Sequence, residues 1–459
     1  MYQIDFEHPI HIYFVGIGGI SMSGLAEILA DAGFRVSGSD WNASPITKKL
    51  EEKGISVYYG ESPSHITEDI DCAVLTSAVH ESNLEFQALC EKKIPYMSRA
   101  QLLGQIMQNY ETPIAISGTH GKTTTTSMVS QILLQAETDP TLSIGGILKA
   151  IGGNIRVGGS DIFVTEACEY TNSFLSFNPK ISIILNIEED HLDFFKDLED
   201  IRSSFRRFAQ LLPADGALII NGEIPNYQEI TEGLACRIIT FGHSAAFDYS
   251  PADITYNEMA CASFQVCRPD GTKDPVTLSV PGDHNILNAL ASIALADLLN
   301  LSRKTVADAL LSFSGTNRRF EYKGSIGGVT IIDDYAHHPT EITATLQAAQ
   351  TYPHKNLWCV FQPHTYTRTK TFMKEFAQAL SLADNVVLAD IYAARETDTL
   401  GISSETLQKE IEKLGHTCYY FPSFDEIENF LLTNCINGDL LITMGAGDVL
   451  KIGENLLGN

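Results

Sequence analysis

The chain has 459 residues, 44% hydrophobic and 19% charged, the composition of an ordinary globular protein. That length exceeds a single core and sets an expectation of roughly three domains. With 31 Lys and Arg against 57 Asp and Glu the net charge is −26, which argues against a nucleic-acid partner but leaves room for a small anion held by local cations. Nine cysteines are scattered, and the closest pair, Cys261 and Cys267, lacks C-x-x-C spacing, so reduced thiols fit better than zinc or disulfides. Residues 1–5 do not read as a secretion signal, and no apolar run approaches about 18 residues. The expectation is a cytoplasmic protein without a membrane partner.

The first elements in chain order are a strand at His11–Val15, the turn Gly16-Ile17-Gly18-Gly19-Ile20-Ser21, a helix through Ala30, and a strand at 34–38 running into Ser39 and Asp40. This is a βαβ unit with a dinucleotide-like fingerprint whose last glycine is replaced by Ser21. Asp40 stands at the distance suited to a ribose hydroxyl, so a nicotinamide-dependent dehydrogenase is one reading. Further strands are expected at 55–59 and 72–75, with residues 73–79 closing one of them. A boundary is expected near 105–112.

After an apolar run at 113–116 comes Ser117-Gly118-Thr119-His120-Gly121-Lys122-Thr123-Thr124-Thr125-Thr126, then an apolar-periodic segment from Met128 to Leu134. This reads as a strand, a Gly-rich turn and a helix start, the arrangement that wraps a nucleotide phosphate in backbone N–H groups. Lys122 supplies positive charge for the β- and γ-phosphates, and the Thr123 hydroxyl suits Mg²⁺. The full phosphate-loop pattern has glycine where this chain has Ile116, so the loop is a shortened form.

Two strands with acidic ends follow, one ending in Glu166 and the other running through Asn186 to Glu188-Glu189-Asp190-His191. Thr123 and Glu166 are natural Mg²⁺ ligands. His191 suits a second cation, the substrate, or a plain helix start. In Gly282-Asp283-His284-Asn285-Ile286-Leu287-Asn288, two Asn share one helix face and suit an adenine edge, while capping by Asn285 explains the sequence equally well. A second boundary is expected near 315–319.

The last segment alternates strand, loop and helix, with strands at 329–332, 357–361, 385–389 and 440–444. They run into Asp333-Asp334-Tyr335-Ala336-His337-His338-Pro339, Gln362-Pro363-His364, Asp390-Ile391-Tyr392 and Gly445-Ala446-Gly447-Asp448. The His338-Pro339 step should end the extended chain before a helix. Arg368 and Lys370 suit carboxylate or phosphoryl oxygen. Ligands of open α/β sheets bind at the carboxyl ends of strands, where these groups lie.

These motifs, in this order and across essentially the whole chain, resemble the Mur ligase family. The resemblance implies an α/β protein of three domains: a Rossmann-like UDP-sugar domain at 1–108, a P-loop-type ATPase domain at 109–318 and a Rossmann-like domain at 319–459. It implies ATP-dependent joining of L-alanine to the carboxylate of UDP-N-acetylmuramate through an acyl phosphate, in peptidoglycan synthesis, by a monomer or homodimer. A murein tripeptide-recycling ligase shares the architecture, and a non-catalytic nucleotide-binding regulator is a third possibility beside the dehydrogenase.

By the same resemblance, Gly18, Gly19 and Asp40 meet the UDP moiety, and Gly118, Thr119, His120, Gly121, Lys122, Thr123 and Thr124 cradle ATP. Thr123 and Glu166 hold one Mg²⁺ and His191 a second. His284, Asn285 and Asn288 lie near adenine, Arg318 and Asp334 contact the nucleotide, and Tyr335, His337 and Arg368 face the amino acid and the reacting carboxyl. His337 is the expected general base. Some members carry Arg at the position of Thr365 and Asp at that of Cys168. An acyl phosphate must be kept from water, which predicts closure of the last domain over ATP.

Overall fold

The computed structural model describes residues 2–76, 78–394, 396–397 and 400–458; Ser77, within the expected strand end at 73–79, lies outside them. The chain forms two compact units: Met1–Glu188 with Glu199–Ile220 and Ile224–Ile239, and Glu189–Leu198 with Asn221–Glu223 and Thr240–Asn459.

In the first unit, β1 (His11–Val15), β2 (Arg35–Asp40), β3 (Ser56–Tyr59), β4 (Cys72–Leu75) and β5 (Tyr96–Ser98) form a sheet in the order β3-β2-β1-β4-β5. All pairs are parallel. Every residue of β1 is buried, as befits a strand covered on both faces. The strand order is that of a nucleotide-binding βαβαβ half, with ligand-facing loops at the carboxyl ends of β1 and β2.

The second sheet contains β6 (Thr112–Ser117), β7 (Thr141–Leu148), β8 (Gly153–Arg156), β9 (Ile162–Ala167), β10 (Ile181–Ile184), β11 (Ala217–Asn221) and β12 (Arg237–Phe241), in the order β12-β11-β10-β6-β9-β7-β8. Parallel β10 and β9 flank β6, with Ser117 opposite Ile184 on one side and Ala167 on the other. The loop after β6 therefore opens beside Glu166 and the chain leaving β10. Gly104, inside the buried helix Arg99–Met107, packs so closely on the Ser176 carbonyl that a Cβ there would overlap it.

The second unit holds an antiparallel sheet of β13 (Ser250–Tyr256), β14 (Cys261–Cys267) and β15 (Lys273–Pro281), followed by the helix His284–Leu298. Its larger sheet contains β16 (Glu321–Ile326), β17 (Val329–Asp334), β18 (Leu357–Phe361), β19 (Asn385–Leu388), β20 (Thr417–Tyr420) and β21 (Leu440–Met444), in the order β16-β17-β21-β18-β19-β20. Only the β16–β17 pair is antiparallel. Successive residues serve opposite cores: Ile332, Phe361 and Ile442 pack with Leu346 and Phe376, while Ile331, Trp358 and Val360 pack with Ile452 and Leu431. Asp334, Met444, Phe361 and Leu388 are in register, so the four loops expected from the sequence leave one edge of one sheet.

Candidate active site

The phosphate-type loop of the first unit is shaped by its glycines. Gly118 has φ +147 and Gly121 φ +83, and a Cβ at Gly118 would sit 2.9 Å from Leu185 Cβ. Gly121 precedes the helix Lys122–Gln135 and supplies no side-chain cap, which leaves the first-turn N–H groups uncapped by a side chain, as an anion site would need. Asn186, just past β10, holds the loop: its Oδ1 accepts from His120 N at 2.7 Å and its Nδ2 donates to His120 O at 3.1 Å. Thr119 Oγ1 accepts from Glu188 N at 2.9 Å.

Lys122 Nζ donates to Gly118 O at 2.5 Å, Thr119 O at 3.1 Å and Glu169 Oε2 at 2.9 Å. Burial works against its charge, but the Glu169 carboxylate outweighs it and the ammonium is held above its ordinary value. Thr123 Oγ1 donates to Glu166 Oε2 at 3.1 Å, and Gly145 N bonds Glu166 Oε1 at 2.5 Å. Thr124 lies partly exposed in the first turn. Burial pushes the Cys168 thiol up to about 11, which keeps it protonated beside Lys122.

At the first sheet, Asp40 Oδ2 accepts from Gly18 N at 2.8 Å and Oδ1 from Trp41 N at 2.8 Å. The carboxylate thus occupies one amide of the glycine turn that the sequence assigns to a phosphate. Gly19 N bonds Gly16 O instead, at 3.2 Å.

The second unit gathers the remaining predicted groups. Asp190 Oδ1 accepts from Arg368 Nη2 at 2.8 Å and Nε at 3.2 Å, and also from His191 N at 2.7 Å. Burial raises the Asp190 carboxyl, but His191 and Arg368 overcome it and hold the group well below the usual range. His191 itself has φ +52. Arg368 Nη1 meets His364 Nδ1 at 3.1 Å, and the His364 ring lies 5.6 Å from that of His337 and stacks on Tyr392. His337 Nδ1 lies 3.0 Å from Tyr335 O, and the backbone N–H of His337 donates to Glu341 Oε2 at 3.1 Å. Burial lowers His337 to about 3 and His364 to about 4, so both rings are neutral at pH 7.

Thr365, which follows His364, has φ +65, an uncommon conformation for a β-branched residue. Its Oγ1 accepts from Arg368 N at 3.4 Å and its N–H donates to Tyr392 O at 2.9 Å.

Arg318 is committed to protein oxygens: Nε to Asp333 Oδ2 at 3.0 Å, Nη2 to Gly445 O at 2.7 Å and to Gly447 O at 3.2 Å. Both Asp334 oxygens accept backbone N–H bonds, from Ala336 and Phe320, and burial raises its carboxyl to about 6. Arg319, not singled out from sequence, lies over the Tyr335 ring at 5.2 Å, with Arg318 over the same ring at 4.8 Å.

His284 opens the helix His284–Leu298, and burial lowers it to about 4. Capping by Asn285 does not occur. Asp283 is the cap residue, Asn285 Nδ2 reaches back to Pro281 O at 2.7 Å, and Asn288 Nδ2 donates to Asn285 Oδ1 at 3.0 Å. The two Asn thus share one helix face, locked to each other.

The structure thus brings Lys122, Thr123 and Glu166 together in one unit, and His337, Arg368 and Tyr335 in the other, which also carries His191. Glu169, Asn186, Asp190, His364 and Arg319 complete these clusters. Glu169, Asn186, Asp190 and His364 follow strand ends and Arg319 precedes β16, each within a few residues of a predicted position, and that spacing is the available signal.

A Gly-rich loop with buried Lys, a Thr–Glu oxygen pair and a His/Arg cluster at a parallel-sheet edge define a nucleotide-dependent transferase or ligase. Residues 11–111 match the Mur ligase family catalytic domain, 116–296 the Mur ligase middle domain and 318–447 the Mur ligase glutamate ligase domain. The chain belongs to the Mur ligase family, whose members are ATP-dependent. It is 61% identical over 457 residues to the UDP-N-acetylmuramate–L-alanine ligase of Agathobacter rectalis, covering 100% of both chains. The UDP-N-acetylmuramate-alanine ligase structure from Thermotoga maritima superposes with TM-score 0.82 at 29% identity, covering 98% of each chain. A murein peptide ligase from Psychrobacter arcticus gives TM-score 0.73 at 27% identity, also over 98% of each.

Proposed function

We propose that this chain joins L-alanine to the carboxylate of UDP-N-acetylmuramate, with cleavage of ATP to ADP and phosphate, in peptidoglycan precursor synthesis. The observation that carries the substrate assignment is the end-to-end likeness to the A. rectalis alanine ligase, which exceeds that to the murein peptide ligase by a wide margin. In this reading UDP-sugar binding falls to residues 1–108, ATP binding to 109–318 and amino-acid handling to 319–459.

The sugar carboxylate attacks the γ-phosphorus of ATP, giving an acyl phosphate and ADP. The loop Gly118–Thr124 and Lys122 hold the phosphates, and positioning with charge neutralisation does most of the work. Thr123 Oγ1 and Glu166 Oε2, 3.1 Å apart, are hard oxygen donors that fit Mg²⁺, and His191 fits a second ion. Mg²⁺, when bound, neutralises phosphate charge. His284, Asn285 and Asn288 form the adenine face. Arg318, whose Nε and Nη2 bond protein oxygens, and Asp334, whose two oxygens accept backbone N–H groups, are the nucleotide contacts of this reading, with the Arg319 guanidinium over the Tyr335 ring as a further cation.

In the second step the amine of L-alanine attacks the acyl carbon and phosphate leaves with the C–O bonding pair. His337 accepts the amine proton, and Arg368 binds carboxylate oxygen. Gln362 Oε1, a buried acceptor without a partner among the described residues, suits the substrate amino group. The enzyme acts in the cytoplasm on these two substrates, without nucleic acid or membrane, as a monomer or homodimer. Phosphate release with ATP, Mg²⁺, UDP-N-acetylmuramate and a panel of L-alanine, glycine, L-serine and the murein tripeptide tests the assignment. Preference for the tripeptide, or no release with L-alanine, overturns it.

A further inference from the structure

The two imidazoles at the second-unit site are not equivalent. A backbone carbonyl only accepts, so His337 Nδ1, 3.0 Å from Tyr335 O, must carry the proton. The neutral His337 ring therefore has its lone pair on Nε2. A guanidinium only donates, so His364 Nδ1, 3.1 Å from Arg368 Nη1, must be the acceptor. His364 therefore carries its proton on Nε2. Asp190 fixes this second assignment, because its Oδ1 takes Nη2 and Nε of Arg368 and turns Nη1 to the ring. The Thr365 bonds to Arg368 N and Tyr392 O anchor the loop that presents His364, and Tyr392 stacks on the imidazole.

We propose that His337 and His364 form an acceptor–donor pair, His364 Nε2–H being the catalytic hydrogen-bond donor to the oxygen that becomes negative when the amine attacks the acyl carbon. The donor comes from the chain Asp190–Arg368–His364, and its lone-pair partner from Tyr335–His337. In this step the new C–N bond forms and the carbonyl π pair moves to oxygen, where His364 Nε2–H holds it. The amine proton goes to His337 Nε2. The pair returns as the C–O bond to phosphate breaks, and phosphate carries the bonding electrons away. His364 gives no proton up. A preorganised donor aimed at developing charge is the kind of group whose loss slows chemistry without weakening ground-state binding. The inference rests on reading this site as an amide-forming centre.

Two measurements test it in the full-length chain. The imidazole ¹⁵N shifts of His364, assigned by difference against His364→Gln, should show Nε2 protonated and Nδ1 bare; the reverse tautomer overturns the proposal whatever the substrate. In the second, His364→Ala should lower kcat with L-alanine by about 100-fold and leave the KM for UDP-N-acetylmuramate unchanged, the size expected for one lost donor. Acid quench followed by borohydride should then trap more acyl phosphate from His364→Ala than from wild type, because the first step proceeds and the second stalls. His364→Gln, which keeps an N–H donor at that end, should return to within about tenfold of wild type. A kcat for His364→Ala within about threefold of wild type, or loss of the acyl phosphate itself, overturns the proposal. Absence of wild-type turnover with L-alanine strikes the substrate assignment instead, and the ¹⁵N result still decides the tautomer.

Discussion

Glu169→Gln removes the charge that faces Lys122 Nζ at 2.9 Å while keeping the side chain's size. Glu169 is 2% exposed and Lys122 16%, so water screens the pair little. Removing one member of a buried ion pair typically costs about 3–5 kcal/mol, because the other charge is left uncompensated. Here the ammonium keeps Gly118 O and Thr119 O, and the glutamine carbonyl oxygen still accepts, so the loss should fall to about 2–3 kcal/mol. Lys122→Met should cost a similar amount, since it removes the cation that faces the buried Glu169 carboxylate. The double variant should be more stable than the sum of the two losses by about 2 kcal/mol. Native-state hydrogen exchange across the helix Lys122–Gln135 reads this locally, without requiring a single unfolding transition for both units. Losses that add to within about 0.5 kcal/mol would mean that the two groups in contact are not coupled and that the ion pair stabilises neither.

Gly104→Ala should destabilise the first unit by about 1–3 kcal/mol, read by thermal unfolding, since overlap with the Ser176 carbonyl outweighs the gain in helix propensity of about 1 kcal/mol. Arg318→Lys should lower stability by about 2 kcal/mol through loss of its fork, whereas Arg319→Ala should leave unfolding unchanged and raise the KM for ATP several-fold. Glu166→Gln should raise the Mg²⁺ concentration needed for half-maximal phosphate release about tenfold or more, with UDP-sugar binding intact by calorimetry. Acid should destabilise the second unit. His284, His337 and His364 have folded values near 4, 3 and 4, below the unfolded value, so the unfolded chain binds more protons and stability falls as pH drops below about 6.5. Each contributes roughly 1.4 kcal/mol per pH unit, partly offset below pH 6 by Asp334, whose raised carboxyl takes a proton in the folded state. Urea unfolding at pH 7 and 5.5 checks this, and an unchanged midpoint counts against neutral buried imidazoles.

Buried parallel strands are the most legible elements. His11–Val15, Leu357–Phe361 and Leu440–Met444 fall where continuous apolar runs place them, because both faces are covered. β13 and β16 escape a reading of the sequence. Ser250–Tyr256 is polar, half exposed and interrupted by Pro251, and Glu321–Ile326 is a half-exposed edge with Gly324 inside it and Gly327-Gly328 in the turn after it, so neither carries the apolar signal. At the site, residue types at strand ends locate the chemistry but not who bonds whom. Asn285 has the residue type of a cap, yet Asp283 precedes the helix and Asn285 bonds backward to Pro281. Arg318 and Arg319 are indistinguishable in the sequence. Only the buried Asp333 and the Gly445 and Gly447 carbonyls, all distant along the chain or on a neighbouring strand end, single out Arg318 as the structural member.

Thr365 sits where glycine would be at ease, and an L-residue held at such a φ costs about 1–3 kcal/mol. A chain selected for durability alone would therefore place glycine there, and a stabilisation campaign scoring backbone geometry would propose Thr365→Gly first. Yet the Thr365 hydroxyl starts the short helix that carries Arg368, and its rigid backbone fixes the angle at which the preceding histidine enters the site. The exchange would give a hardier protein whose second-step machinery is free to swing. Position 365 is thus a point where thermostability and turnover pull in opposite directions.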